Sequence, residues 1–324
     1  MTREQRTMIS KVEYNLLDPG RRAQWEQERQ HGVAFDVFMA LANLAKELVP
    51  LRYSRSIEEV WFGYRDHVAM ADRCRERPEL FAGYAQMDGL QHVMTRLDAG
   101  GVIALLHFGD YRYGPVAVSQ EIRRQAPDIP LAMVMDQDSY NAEASLPAWM
   151  NLWRDNKVEL MIAESPQIGM QIMRHLRRGG WIFVYLDGNR GAGTDASPLE
   201  IGFLSSHVQM RSGLFRLLAR TGSSLVPMVT DRKDGTRPCA TLYPAIAVPA
   251  DAPAQGLQAC FGHFRKVLLR QPELWRFWFR HHHQVVHWQP LPVQASPAIV
   301  DWRCNEVTPP IGLSVSSGRV FRIS

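Results

Sequence analysis

His107 follows a short apolar run, Val102-Ile103-Ala104-Leu105-Leu106, and opens the loop His107-Phe108-Gly109-Asp110-Tyr111-Arg112. A second apolar run, Leu131–Met135, leads into Asp136-Gln137-Asp138, and a third, Trp181–Leu186, into Asp187-Gly188-Asn189-Arg190-Gly191. An imidazole with a carboxylate in its own loop and further carboxylates after two other runs supplies the parts of a general base. Histidine takes a proton near neutral pH, and a carboxylate fixes its tautomer. Neither a Gly-x-Ser-x-Gly nucleophile elbow nor a P-loop occurs, which argues against serine hydrolysis and P-loop phosphoryl transfer.

The elements that must position these residues follow from hydrophobic patterning. Short, unalternated apolar runs read as strands buried on both faces, and Leu225–Val229 is a fourth. Between them, Pro166–Arg178 and Gln209–Arg220 read as helices, with cations in the last turn and Gly179 or Gly222 beyond. Alternation of strand and helix from Gly101 to about Val248 predicts an α/β fold: a mixed, largely parallel central sheet flanked by helices. Ligands of open α/β sheets bind beyond the carboxyl ends of the strands, where these polar residues fall. Upstream, Phe35, Phe38, Leu41, Leu44, Ala45 and Leu48 recur at helical spacing and mark an α-helical front end. Val248–Gln255 reads as a Pro/Ala-rich loop, and Pro272–His283 as a tryptophan-rich final helix. The expected organisation is a helical segment over 1–99 packed on the core, an α/β core over 100–289, and an irregular, proline-rich tail over 290–324.

Composition narrows the class. The 324 residues are 46% hydrophobic and 22% charged, as in soluble globular proteins. Lys+Arg total 37 against 33 Asp+Glu, a net charge of +4 without basic blocks, which gives no ground for a nucleic-acid partner. The four cysteines, Cys74, Cys239, Cys260 and Cys304, stand far apart and read as reduced, packed thiols. Met1–Arg6 is charged and lacks the apolar core of a signal peptide behind it, and Val37–Ala45 is about half the length of a spanning helix. A cytoplasmic protein without a transmembrane segment is expected.

The stretch VIALLHFGDYRYG resembles the first motif of the lysophospholipid acyltransferase superfamily. It is more similar still to that of the late lipid A (lauroyl/myristoyl) acyltransferases, where an apolar strand ends in H-F-G-N-W-E. VYLDGNRGAG sits where the superfamily has an acidic-Gly-Thr-Arg loop, and SSLVPMV matches its "VVPV" strand. QPELWRFWFR resembles the P-E-x-W-x-W-x-x-R segment of the lipid A enzymes. The likeness runs in order from about Asp88 to Arg280. It implies acyl transfer with His107 as general base: a hydroxyl or amine is deprotonated and attacks a thioester on acyl carrier protein or coenzyme A. That chemistry calls for no metal and no cofactor beyond the acyl-carrier or acyl-CoA co-substrate. Asp187, Gly188, Asn189 and Arg190 would bind the donor or acceptor, since glycine lets backbone N–H groups, here also those of Gly191, approach an anion closely. Arg112 and Asp136 are further substrate-contact candidates.

The sequence departs from the family in two places. Five residues after the histidine the family carries a carboxylate, and here stands Arg112, which cannot accept the imidazole proton. Asp110 is the expected replacement, with Asp136 and Asp187 as alternatives, or a site that no longer turns over. The N-terminal membrane helix of the lipid A enzymes is absent as well, which favours transfer of an acyl or aminoacyl group to a soluble or carrier-bound acceptor. A peripheral lipid acyltransferase touching the membrane face, and a silent relative that binds acyl carriers or lipids, are the alternative readings.

Other features have both a plain and a functional reading. Arg174, Arg177 and Arg178, then Arg211, Arg216 and Arg220, then Arg232, Lys233 and Arg237 are either solvated faces or a docking surface for an acidic acyl or peptidyl carrier protein. His31–Asp36 and His67–Asp72 satisfy H-x-x-x-x-D, but no apolar strand precedes either. His281-His282-His283 with His287 offers half a metal site with no acid or cysteine cluster to complete it, so packed or solvated histidines are expected. Trp275, Phe277, Trp278 and Phe279 are expected to pack the final helix onto the sheet, with part of that surface available to an acyl pocket.

Overall fold

The computed structural model describes residues 19–75, 86–231, 239–291 and 299–323. Three helices come first: α1 (Pro19–His31), α2 (Phe35–Leu48) and α3 (Ile57–Arg75). There follow β1 (Gln86–Asp88), β2 (Gly101–Leu105), α4 (Tyr113–Gln125), β3 (Leu131–Met135), α5 (Gln137–Ala144), α6 (Pro147–Asp155), β4 (Val158–Ile162), α7 (Ile168–Arg177) and β5 (Trp181–Tyr185). The second half holds β6 (Leu199–Gly202), β7 (Ser206–Met210), α8 (Gly213–Thr221), β8 (Ser224–Asp231), β9 (Cys239–Leu242), α9 (Pro253–Arg270) and β10 (Val285–Trp288). The chain closes with β11 (Trp302–Cys304), β12 (Ile311–Ser314) and β13 (Arg319–Arg322).

Contacts divide the chain into two units. The larger, Ala69–Ile201 with Met210–Val267, is the α/β body. Its seven strands run β1-β9-β8-β2-β5-β3-β4, parallel from β8 to β4, with β9 antiparallel to β8. All residues of β2 are buried, and Ile103, Leu105, Met133, Phe183 and Val226 join one core. Burial on both faces is why the run showed no alternation, and each such side chain contributes about 1.5–3 kcal/mol. β4 was not foreseen: at the sheet edge Val158-Glu159-Leu160-Met161-Ile162 exposes Glu159, which interrupts the apolar run. The helix expected from Gln209 begins only at Gly213, because Gln209 donates to the Gln284 carbonyl and Met210 remains in β7.

The smaller unit comprises the described residues within Met1–Val68, Gly202–Gln209 and Leu268–Ser324. The helical front end and the tail thus share a unit, where the sequence suggested separate segments at 1–99 and 290–324. Pairing of β7 with β10, far apart in sequence, helps draw 202–209 into it. The tail is not irregular throughout: β11, β12 and β13 form an antiparallel sheet. Strands of three or four residues are too short for alternation to register, and Pro309 and Pro310 lie in the connection between them. The tryptophan-rich segment is two 3-10 stretches, Pro272–Leu274 and Arg276–His283, rather than one α-helix. The Pro272 carbonyl accepts both the Trp275 N–H and the Trp278 indole, which closes a tight i→i+3 turn. Within this unit, Trp275 and Trp278 are buried and pack against Phe203 and His281.

Phe38, Leu41, Leu44 and Leu48 bury the apolar stripe of α2 completely, and Glu47 is buried among them. The Glu47 carboxylate accepts the Ser205 N–H (2.6 Å), the Ser205 and Ser206 hydroxyls and His281 Nε2 (2.5 Å). Burial alone would raise its pKa, but the histidine and both serines outweigh that and hold it below the ordinary glutamate range. A carboxyl whose pKa is lowered by folding stabilises above its unfolded value and loses that contribution as pH falls through the folded one. Glu47→Ala is therefore expected to cost about 3–5 kcal/mol at neutral pH, measured by urea unfolding with tryptophan fluorescence. The gap between wild type and Glu47→Gln should narrow as pH falls below about 4.3.

Candidate active site

β2 and β5 are parallel neighbours in register, with Leu105 opposite Tyr185. Two residues further on, His107 and Asp187 leave the sheet side by side. The His107 backbone N–H donates to Asp187 Oδ2 at 2.9 Å, and its Nδ1 lies 2.8 Å from Oδ1. One residue thus takes both oxygens of a carboxylate that is 2% exposed. An ionised carboxylate only accepts, so Nδ1 carries the ring proton and Nε2 is the nitrogen that can take another. Asp187, not the expected Asp110, is the carboxylate on Nδ1. Asp110 is buried in the loop, and its carbonyl accepts the Tyr113 N–H at the start of α4.

Backbone geometry holds the histidine loop against the sheet. Gly109 has φ +58°, and a Cβ there would lie 2.0 Å from the Thr230 carbonyl oxygen of β8, so only glycine permits this approach. The imidazole packs against two tyrosine rings, Tyr185 (centroids 4.3 Å apart, 31° between planes) and Tyr111 (4.9 Å, 59°). The Tyr185 hydroxyl donates to the Tyr111 carbonyl at 2.8 Å and locks the pair. Burial pushes the Tyr185 phenol well above its usual range, which keeps it a donor.

The remaining predicted residues divide. Arg112 lies over the Tyr111 ring at 4.7 Å, with Nε 3.6 Å from Glu143 Oε1. Glu143, on α5, also accepts the Trp153 indole N–H at 3.0 Å. Asp136 is the N-cap of α5, accepting the Ser139 N–H at 2.7 Å. In the 187–191 loop, a Cβ at Gly188 would meet nothing within 4 Å, whereas at Gly191 it would lie 2.6 Å from Arg211 Nε. Asn189 adopts a left-handed conformation, and its Oδ1 accepts the Arg211 N–H at 2.8 Å. The Arg211 guanidinium donates to the Ala192 and Gly193 carbonyls, so this arginine braces the loop. Arg190 is exposed.

Two adjoining spaces meet here. A pocket of about 80 Å³ is lined by His107, Tyr111, Arg112, Asp136, Glu143 and Arg190 among others. A cavity of about 560 Å³ has Ile168, Ile172, Leu186 and Phe215 in its wall and Arg190, Arg211, Arg216 and Arg220 among its polar lining. Both are bordered by Val134, Ala163, Val184, Tyr185 and Arg190. The Trp275–Phe279 aromatics line neither. Tyr111, Tyr185 and Glu143 were not singled out as site residues, because an aromatic beside an apolar run or an acid on an amphipathic helix carries no one-dimensional signal; Arg211 was read only as part of a basic surface.

Arg174, Arg177, Arg178, Arg216 and Arg220 are exposed, while Arg232, Lys233 and Arg237 lie outside the described residues, as do Met1–Arg6 and the Cys74 side chain. Cys239, Cys260 and Cys304 are buried and unbridged. His31 and His67 sit on α1 and α3, and among the described residues no strand precedes either. Among the described residues no group of three or more His, Cys, Asp or Glu is arranged to hold a metal, and no helix is long and apolar enough to cross a membrane. No protein-family model matches the chain, and no curated protein matches its sequence.

The pairing of Nδ1 with Asp187 has a direct spectroscopic consequence. In neutral His107 the ¹⁵N shifts should report the Nδ1–H tautomer. In Asp187→Asn the amide oxygen can keep the backbone N–H, which turns the amide NH₂ toward the ring and shifts the population to Nε2–H.

Proposed function

We propose that this chain is an acyltransferase, a divergent relative of the lysophospholipid acyltransferase superfamily. It would move an acyl or aminoacyl group from a carrier-protein or coenzyme A thioester to a soluble or carrier-bound hydroxyl or amine in the cytoplasm. The observation that carries this reading is the His107–Asp187 pair at the carboxyl ends of adjacent parallel strands. His107 Nε2 takes the proton of the acceptor as its oxygen or nitrogen attacks the thioester carbonyl. The tetrahedral intermediate collapses, the C–S bond breaks, and the departing sulfur recovers the proton from the imidazolium. Asp187 holds the tautomer and stabilises the transient positive charge.

The adjoining cavity suits the donor. Its apolar wall accommodates an acyl chain or pantetheine arm, and its arginines match a phosphate or the acidic surface of a carrier protein. A silent binding relative was suggested by Arg112 standing where the family has an acid. A carboxylate on Nδ1 supplied from β5 favours turnover instead.

Acyl-loaded carrier proteins and acyl-CoA, incubated with amine and alcohol acceptors and followed by intact-mass spectrometry, test the reading. Wild type should discharge the donor and acylate an acceptor. His107→Ala and Asp187→Asn should each lose about 10²–10⁴-fold in rate. Discharge only in the presence of lysophospholipid vesicles would assign the peripheral lipid reaction, and no discharge from any thioester would leave a binding protein.

A further inference from the structure

Arg112 lines the same small pocket as the candidate base. Its Nε is buried without a hydrogen-bond partner. Among the described residues the guanidinium's contacts are Glu143, at 3.6 Å and beyond hydrogen-bond reach, and the face of Tyr111. A guanidinium carries five N–H donors in a planar fork, and a largely buried one ordinarily spends several of them. Here the side chain is 18% exposed, and it lines the same small pocket as His107. Both side chains lie against the Tyr111 ring, with His107 at 4.9 Å and the Arg112 guanidinium carbon at 4.7 Å.

Glu143 does not discharge this role. One of its oxygens is taken by the Trp153 indole, and the other comes no nearer to the guanidinium than 3.6 Å, so no hydrogen bond joins the two side chains. Asp136, the other acid of the pocket, is committed as a helix cap. The outer edge of a guanidinium matches a carboxylate in a two-point, charge-assisted contact. A volume of about 80 Å³ admits only a small group beside the imidazole.

We propose that Arg112 is the carboxylate-recognition residue of the acceptor pocket, and that the acceptor is a small hydroxy or amino acid, free or as the terminus of a carrier-bound chain. Its carboxylate sits on the Arg112 fork and its hydroxyl or amine faces His107. This assignment rests on the acyltransferase reading for the word acceptor, but the anion site is testable without turnover.

The first arm is binding. Arginine side-chain ¹⁵N–¹H NMR of the full chain, with the Arg112 Nε–H signal identified by its loss in Arg112→Lys, is followed during titration with glycolate, its neutral isostere glycolamide, and inorganic phosphate. Glycolate should shift the signal saturably and glycolamide should not. No saturable response to glycolate overturns the assignment, and a response to phosphate at much lower concentration reassigns the pocket to phosphorylated acceptors. The second arm is kinetic, comparing glycine and glycolate with glycinamide and glycolamide as acceptors. Loss of the charged contact in Arg112→Gln should raise KM for the acids by roughly 10- to 100-fold and abolish the preference for them over the amides. Arg112→Lys should restore part of it, and the KM for the thioester donor should stay unchanged. A uniform fall in kcat on all acceptors in both variants, with donor discharge retained, would mean that Arg112 merely supports the loop. Saturable glycolate binding without discharge of any thioester would retain the anion site and remove the acyltransferase reading.

Discussion

The in-register parallel pairing of β2 with β5 is the constraint on which the site depends. Because Leu105 faces Tyr185, the two chains leave the sheet at the same level, and His107 and Asp187 meet without any long reach. The carboxylate then grips the histidine twice, at the backbone N–H and at Nδ1, so ring orientation and backbone path are set by one group. A slip of one residue would place Leu186 or Gly188 opposite the histidine and turn the side chains to the other face of the sheet. The buried, glycine-led strand Gly101–Leu105 and its neighbour Trp181–Tyr185 hold that register through close packing on both faces.

Around this pair the structure separates two physical tasks. Orientation is handled by the buried Asp187, the hydrogen-bonded Tyr111–Tyr185 pair, and Gly109 pressed against the β8 backbone. The groups that border open space are Arg112 in the small pocket and the arginines of the larger cavity, and the proposed reading assigns recognition to them. Preorganised orientation with open recognition is what a base-catalysed transfer needs, since reorganising the base during reaction would raise its barrier. Arg211 joins the two tasks: it braces the 189–193 loop by three hydrogen bonds while facing the cavity.

The smaller unit follows the same rule of satisfied burial by other means. Glu47, on the apolar stripe of α2, would be costly alone, and two serines and His281 take up its charge. His281, which as part of a histidine run suggested half a metal site, is spent on this internal bond.

Much was legible in the linear pattern. The apolar runs Leu131–Met135 and Trp181–Leu186 marked strands to within a residue because burial on both faces leaves an unbroken hydrophobic signal, and the glycines after α7 and α8 marked helix ends. His107 and the polar loops beyond the strands could be picked out because ligand sites of open α/β sheets lie at strand carboxyl ends. Which carboxylate would meet the histidine was not legible. Asp110 is near in sequence, whereas Asp187 is 80 positions away and reaches His107 only because β5 lies next to β2. The order of strands in a sheet is decided by long-range packing and hydrogen bonding, which a one-dimensional pattern does not encode. For the same reason the position of Arg112, between Glu143 and the Tyr111 ring with its Nε unbonded, emerged only in three dimensions, since an arginine's partners are fixed by which helices close around it. Sequence alone determined where chemistry-bearing residues leave the strands; the tertiary structure decided which of them touch.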